Sequence, residues 1–345
     1  MNDIENGDPS GVEPGAESGM EPGIPAERLR QALDIVRRMG AEIRRAVVGQ
    51  QEVIDQVLAC MLAGGHVLIE GVPGLGKTLL VRALAKTFAG DFSRIQFTPD
   101  LMPADVMGHA VFDLKNQTFS VRKGPVFAHL LLADEINRAP AKTQSSLLEV
   151  MQERQVTIEG ESHPLAPPFM VLATQNPLEN EGTYPLPEAQ LDRFLIKVRI
   201  GYPSESEEQE MLRAVTRNRV GDALDVAAVA TLVKPDTVAA LQQLVARVRV
   251  DDSVAAYAVR LVRATRDWPG IAIGAGPRGS IALVRLARAM ALLAGRDYAT
   301  PDDIKQAGLP VLRHRIAISP ESELDGLSAD QLLTALLQQI AAPRA

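Results

Sequence analysis

Residues 71–78 read Gly71-Val72-Pro73-Gly74-Leu75-Gly76-Lys77-Thr78, a glycine-rich loop that closes on Lys-Thr. The apolar run His66-Val67-Leu68-Ile69-Glu70 precedes it, and a helical run from Leu79 to Phe88 follows. Glycines let the backbone curl until several N–H groups point at one place, and the helix start adds its partial positive charge there. Between a strand and a helix, such a loop cradles the phosphates of a nucleoside triphosphate. Lys77 reaches the terminal phosphates and Thr78 can hold magnesium. The alternative is a tight glycine turn with no ligand.

Outward from this loop, short apolar runs alternate with helical stretches. The runs are His66 to Glu70, Arg94 to Thr98, His129 to Asp134, Phe169 to Gln175 and Phe194 to Ile200. Five such strands separated by helices predict an α/β fold with a mainly parallel sheet covered on both faces, and nucleotide at its carboxyl edge. Two pieces break the alternation. Ala110 to Arg122 reads as a hairpin around Lys115-Asn116-Gln117, and Arg154 to Pro167 as another turning near Glu159-Gly160.

After Tyr202-Pro203 the pattern is helical only. Ser204 followed by Glu207 is a capping box, Leu241, Leu244, Val245 and Val248 form a 3.6-residue stripe, and Thr300-Pro301 and Ser328 mark further helix starts. The expected organisation is an acidic tail over residues 1–25, a nucleotide-binding domain over 26–203 and an all-helical lid over 204–345. The tail has no Lys or Arg and six acidic residues. It cannot bury enough apolar area to offset its entropy, so it is read as disordered and inert.

Composition narrows the function. The formal charge of −7 argues against a surface built for nucleic-acid phosphates. Arg37-Arg38 and Arg44-Arg45 recur on one helical face, where a solvated or subunit-facing stripe is preferred to nucleic-acid binding. No apolar run approaches the ~20 residues of a membrane span and no signal pattern opens the chain, so the expected location is cytoplasmic. The single Cys60 sits inside a helical run and reads as core packing, and the five His residues lack ligand spacing. The expected metal is therefore magnesium arriving with nucleotide.

Three further segments carry chemistry. His129-Leu130-Leu131-Leu132-Ala133-Asp134-Glu135 is a buried strand ending in two carboxylates, the first suited to the magnesium shell and the second to activating water. The strand Phe169 to Gln175 delivers Asn176, whose amide can hydrogen-bond the attacking water or terminal phosphate; otherwise it is a turn residue before Pro177. In Leu191-Asp192-Arg193-Phe194 the arginine starts the last strand, on the far edge from its own phosphates, and so would point outward to complete a site in trans. The alternative is a surface salt bridge with Asp192 or Glu188. Gly276-Pro277-Arg278-Gly279-Ser280 opens a lid helix, placing Arg278 either over the nucleotide or as an ordinary first-turn charge.

Taken in order, GVPGLGKT, HLLLADEINRAP, MVLATQNPLENEGTYPLPEAQLDRF and GAGPRGSIAL resemble the MoxR family of AAA+ ATPases from about Ala26 to Ile316. The resemblance implies an ATP-binding loop at Gly71 to Thr78 leading into Leu79, Mg2+ at Thr78 and Asp134, and a base at Glu135. It further implies a first sensor at Asn176, an arginine finger at Arg193 and a second sensor at Arg278. Val48, Gly49 and Gln50 would border the adenine. It also implies a chaperone-like protein that assembles as a hexameric ring and works with partners carrying a von Willebrand factor A domain.

Threading unfoldases usually carry an aromatic loop after the second strand, whereas Thr98 to Gly108 contains no aromatic. Local remodelling or maturation of a partner complex, such as metal or cofactor insertion, is therefore the expected activity. A nucleic-acid motor and a nucleotide-dependent scaffold are the rivals. Neither hairpin offers the basic surface a motor needs: Lys115 is the sole basic residue before Arg122-Lys123, and the other hairpin is acidic at Glu159 and Glu161.

Overall fold

The computed structural model describes residues 23–72, 74–176, 183–216 and 226–343. The expected tail, save residues 23–25, lies outside them, as do Pro73 and the segment that begins at Pro177. The chain opens on helices α1 (Ala26–Ala46) and α2 (Gln51–Leu62), then alternates through β1 (Val67–Glu70), α3 (Lys77–Thr87), β2 (Phe92–Gln96) and α4 (Pro103–Met107). A hairpin of β3 (Gly108–Asp113) and β4 (Thr118–Lys123) leads to β5 (Leu130–Asp134) and α5 (Ala141–Glu153). A second hairpin, β6 (Gln155–Ile158) and β7 (Glu161–Pro164), precedes β8 (Met170–Gln175), α6 (Glu188–Leu191) and β9 (Ile196–Arg199). The remainder is α7 (Glu205–Thr216), α8 (Pro235–Ala246), α9 (Asp252–Ala264), β10 (Ile271–Ile273), α10 (Pro277–Leu293), α11 (Pro301–Leu312), β11 (Ala317–Ile318), α12 (Pro320–Leu324) and α13 (Ala329–Gln339).

The central sheet has five parallel strands in the order β2-β5-β8-β1-β9. Its register aligns Gln96 with Asp134 and Glu70 with Gln175, so the strands end at one carboxyl edge. Side chains alternate across it as the pleat requires. Val67, Ile69, Leu130, Leu132, Met170 and Leu172 join a core with α1, α2, α3 and the C-terminal helices. Leu68, Leu131, Ala133, Val171 and Ala173 join a second core under α5 and the β6–β7 hairpin. Burial on both faces explains why these strands read as unbroken apolar runs.

The predicted caps form. Glu207 accepts the Ser204 N–H, and both Thr300–Asp303 and Ser328–Gln331 close reciprocal capping boxes. One correction concerns the lid, which carries a short antiparallel pair, β10 and β11, alongside its helices. Strands of three and two residues are too short to leave a period in the sequence. Three of the arginines on α1 are neutralised locally, Arg38 by Asp34, Arg44 by Asp55 and Arg45 by Glu42, in keeping with a solvated stripe. Cys60 is fully buried in α2. Among the described residues no helix is long and apolar enough to cross a membrane.

His66 ties the amino edge together. Its Nδ1 accepts the Val171 N–H at 2.9 Å, which leaves Nε2 to donate to the Met151 carbonyl at 3.1 Å. Burial pushes the imidazole from its ordinary 6.5 down to about 4. The unfolded chain therefore takes up a proton near pH 6.5 that the folded chain refuses until about pH 4. Stability present at neutral pH is lost through that window, by about 3 kcal/mol at its end. Urea midpoints measured from pH 7 to pH 4 should fall less steeply in His66→Gln than in the parent; identical slopes would contradict the assignment.

Candidate active site

The loop after β1 has the shape of a cradle. Gly74 and Gly76 take φ of 86° and 76°, in the left-handed region that glycine occupies without strain. A Cβ at either would meet nothing within 4 Å, so the requirement is conformational and the space beyond them is open. Gly71 is needed for a different reason: a Cβ there would stand 2.8 Å from the Ile200 carbonyl oxygen. Gly76 caps α3 without a side-chain hydrogen bond, which leaves the first N–H groups of the helix for a ligand. Beside the loop, Gln50 sits at φ 55° and donates from its amide to the Leu75 carbonyl at 3.0 Å, so the Val48-Gly49-Gln50 segment flanks the cradle.

A cleft of about 310 Å³ opens here, lined by Gly74, Gly76, Lys77, Thr78, Leu79, Asp134, Glu135 and Asn176, with Arg82, Arg94, Gln96 and Thr174. Lys77 donates to the Gly71 carbonyl at 2.5 Å. Its half-burial lowers the ammonium pKa, and the charges of Asp134 and Glu135 oppose that shift. The donor set suits a magnesium nucleotide: backbone N–H groups and one ammonium for phosphate oxygens, a hydroxyl and a carboxylate for a hard cation.

Thr174, which the sequence reading missed, links the Asp134 carboxylate to the backbone of Glu135. Its hydroxyl donates to Asp134 Oδ1 at 3.1 Å and accepts the Glu135 N–H at 2.9 Å. Asp134 Oδ2 accepts from Arg94 Nε at 2.6 Å, so its charge is balanced from β2. Glu135 takes φ 56° and ψ 50°, a left-handed conformation costing a non-glycine residue about 1 to 2 kcal/mol. That backbone turn separates its side chain from Asp134, and Oε2 lies 3.0 Å from Arg138 Nη1. Asn176 lines the same cleft and is 8% exposed.

Arg193 and Arg278 do not enter this cleft. Both line a second one, of about 390 Å³, at the opposite edge of the sheet beside Gly65 and His66, together with Arg154, Asp192, Arg285 and Arg315. Arg278, expected either over the nucleotide or as an ordinary first-turn charge, is 3.7 Å from Asp192 Oδ2. The reason lies in the packing of α10, whose buried face joins the core formed with α1 and α2, so that its first turn opens at the amino edge. Arg193 donates to the Ala189 carbonyl at 3.4 Å, and among the described residues its buried Nε has no hydrogen-bond partner. Asp192, offered as its ion-pair alternative, is engaged by Arg315 and Arg278. The stretch Thr98 to Gly108 holds no aromatic, but in the adjoining β3–β4 hairpin Phe112 and Phe119 pair at 5.0 Å and are 45% and 75% exposed.

Comparison with known proteins finds matches to both parts of the chain. The model of the ATPase family associated with various cellular activities matches residues 66–196, and that of the AAA lid domain residues 263–336. The uncharacterized protein YeaC of Bacillus subtilis (strain 168) is 48% identical over 87% of this chain and 92% of its own. Chaperone MoxR1 of Mycobacterium tuberculosis is 43% identical over 92% and 85%, and protein MoxR of Methylorubrum extorquens 32% over 90% and 96%. The crystal structure of a Cytophaga hutchinsonii protein assigned as an ATPase superposes with a TM-score of 0.84, at 42% identity over 92% of this chain and 98% of that one.

Proposed function

Since the chain belongs to the MoxR family of AAA+ ATPases, we propose that it hydrolyses ATP in sites shared between the subunits of a hexameric ring, and uses the cycle to remodel a partner protein. The supporting observation is the convergence of Lys77, Thr78, Asp134, Glu135 and Asn176 on one cleft. Lys77 offsets the charge of the terminal phosphates, while Val48, Gly49 and Gln50 border the adenine. Thr78 and Asp134 would hold magnesium, which would neutralise charge developing on the phosphates. Glu135 orients the attacking water and takes its proton, and Asn176 hydrogen-bonds that water or the terminal phosphate. Arg193 and Arg278, on the opposite edge, complete the cleft of a neighbouring subunit.

Residues 26–203 then form the nucleotide domain, residues 204–345 the lid, and residues 1–25 an inert tail. The name of the chaperone MoxR1 relative supports a client-directed role. Partners with a von Willebrand factor A domain, a cytoplasmic setting, and help with metal or cofactor insertion follow from the family likeness. The exposed Phe112 and Phe119 favour a protein client over nucleic acid, whose phosphates this apolar hairpin does not suit.

Lys77→Ala should weaken ATP binding by at least about 30-fold, the loss expected from 2 kcal/mol or more on removing one partner of a buried charge pair. Filter binding measures it, and equal affinity in variant and parent would defeat the assignment. Remodelling itself is tested by trapping partners with Glu135→Gln under ATP, then following the protease sensitivity of the trapped client once parent protein and ATP are supplied. Turnover with no change in that client would leave a scaffold.

A further inference from the structure

Arg193 stands between residues gripped from the lid. Arg315 follows the end of α11, and its side chain is only 3% exposed. Its Nε donates to Asp192 Oδ1 at 2.7 Å and its Nη2 to the Phe194 carbonyl at 2.6 Å. Nη1 donates to the Leu195 carbonyl at 3.1 Å. The residues next to Arg315 add to the grip: His314 Nε2 lies 3.0 Å from the Phe194 carbonyl, and Arg313 Nη1 donates to the Lys197 carbonyl at 3.3 Å. Among the described residues Arg193 itself is poorly anchored, with one long bond to Ala189.

Burying a guanidinium costs several kcal/mol, and where only packing is wanted an apolar side chain of similar volume serves as well or better. What the cation adds is a rigid fork of donors able to fix several acceptors at once. Here the acceptors are the carboxylate before Arg193 and the two carbonyls after it. The side chain of Arg193 therefore leaves a backbone whose position is set by α11.

We propose that Arg315 is the positioning residue of Arg193: by clamping Asp192, Phe194 and Leu195 it fixes the reach of that guanidinium, and makes the reach depend on where the lid of the same subunit sits. This rests on the reading that Arg193 serves a neighbour's site. A shift of the lid is then felt directly in the adjoining subunit, without passing through the sheet.

The test uses the full-length chain as Arg315→Met and Arg315→Lys, with ATP affinity, thermal midpoint and turnover measured on homomers and on rings mixed with other variants. Subunit exchange is verified with two affinity tags. Because the phosphate cleft is untouched, Arg315→Met should bind ATP as the parent does. Its turnover should fall about 100-fold, the effect of a misplacement of roughly 1 Å. Mixed with Glu135→Gln, which keeps a sound finger, it should recover well above the sum of the separate samples. Mixed with Arg193→Ala it should not recover, because neither subunit supplies a placed finger.

Parent-like turnover in Arg315→Met, or recovery with Arg193→Ala, overturns the proposal. So does failure to recover with Glu135→Gln while Arg193→Ala does recover with it. If Arg193→Ala also fails to recover with Glu135→Gln, the shared-site reading has fallen and the proposal falls with it. Should Arg315→Met not fold, Arg315→Lys decides: lysine keeps a charge near Asp192 but cannot span the carbonyls, so it should show the same pattern of recovery, and parent-like turnover in it overturns the proposal.

Discussion

Arg193→Ala should reduce ATP turnover by about 10³ to 10⁵ while leaving ATP affinity within a few fold, since a finger acts on charge that develops only in the transition state. The subunit keeps its own Lys77, Asp134 and Glu135 in an intact cleft at the other edge of the sheet. Mixed with Glu135→Gln subunits, roughly a quarter of randomly formed interfaces join a sound Glu135 site to a sound Arg193. Activity should then climb from near zero to a substantial fraction of the parent rate. Phosphate release on verified mixed rings reads this directly. Activity that stays at the sum of the separate samples would remove Arg193 from any role in trans.

Glu135→Gln should slow hydrolysis by about 10² to 10⁴ and leave nucleotide binding intact. The amide has the shape of the carboxylate and can still accept from Arg138, but it cannot take a proton from water. A single-turnover experiment separates the two effects: bound ATP should persist on the protein, uncleaved, long after the parent has released phosphate. Cleavage at the parent rate would reassign the base, with Asp134, fixed by Arg94 and Thr174, the next carboxylate in the cleft.

Much of this molecule can be read without its coordinates, because the features concerned are local. The glycine loop, the strand ending in Asp134-Glu135 and the capping boxes at Ser204, Thr300 and Ser328 each declare themselves within a few residues. Both hairpins fall where their turn residues put them. What stayed hidden depends on strand order and distant packing. Thr174 and Arg94 are ordinary strand residues until β5 is found between β2 and β8, which brings them to Asp134 from either side. Arg315 meets Asp192 across 123 residues of chain, and no period or spacing records that pairing. Arg278 was legible as a helix-start arginine, but not the edge of the sheet to which α10 would deliver it. The turn that throws Glu135 into the left-handed region also has no signature, since glycine or asparagine would be the expected residue there.

Helix α2 shows how closely the two halves of the chain depend on each other. Its first half turns Gln51, Glu52 and Asp55 to water, but every residue from Val57 to Leu62 is buried, so its second half has no polar face. An all-round apolar helix is stable only when covered on every side. The same core that holds it includes Val238, Leu241 and Val245 of α8 and Leu283 and Leu286 of α10. A fragment cut after residue 203 would carry the whole phosphate loop and both carboxylates, yet present one flank of α2 bare. Exposed apolar area of that kind drives self-association. Such a truncation is therefore a poor reagent for nucleotide studies: it would precipitate or clump for reasons unconnected with its phosphate cleft, and fragments meant to isolate that chemistry need the lid left in place.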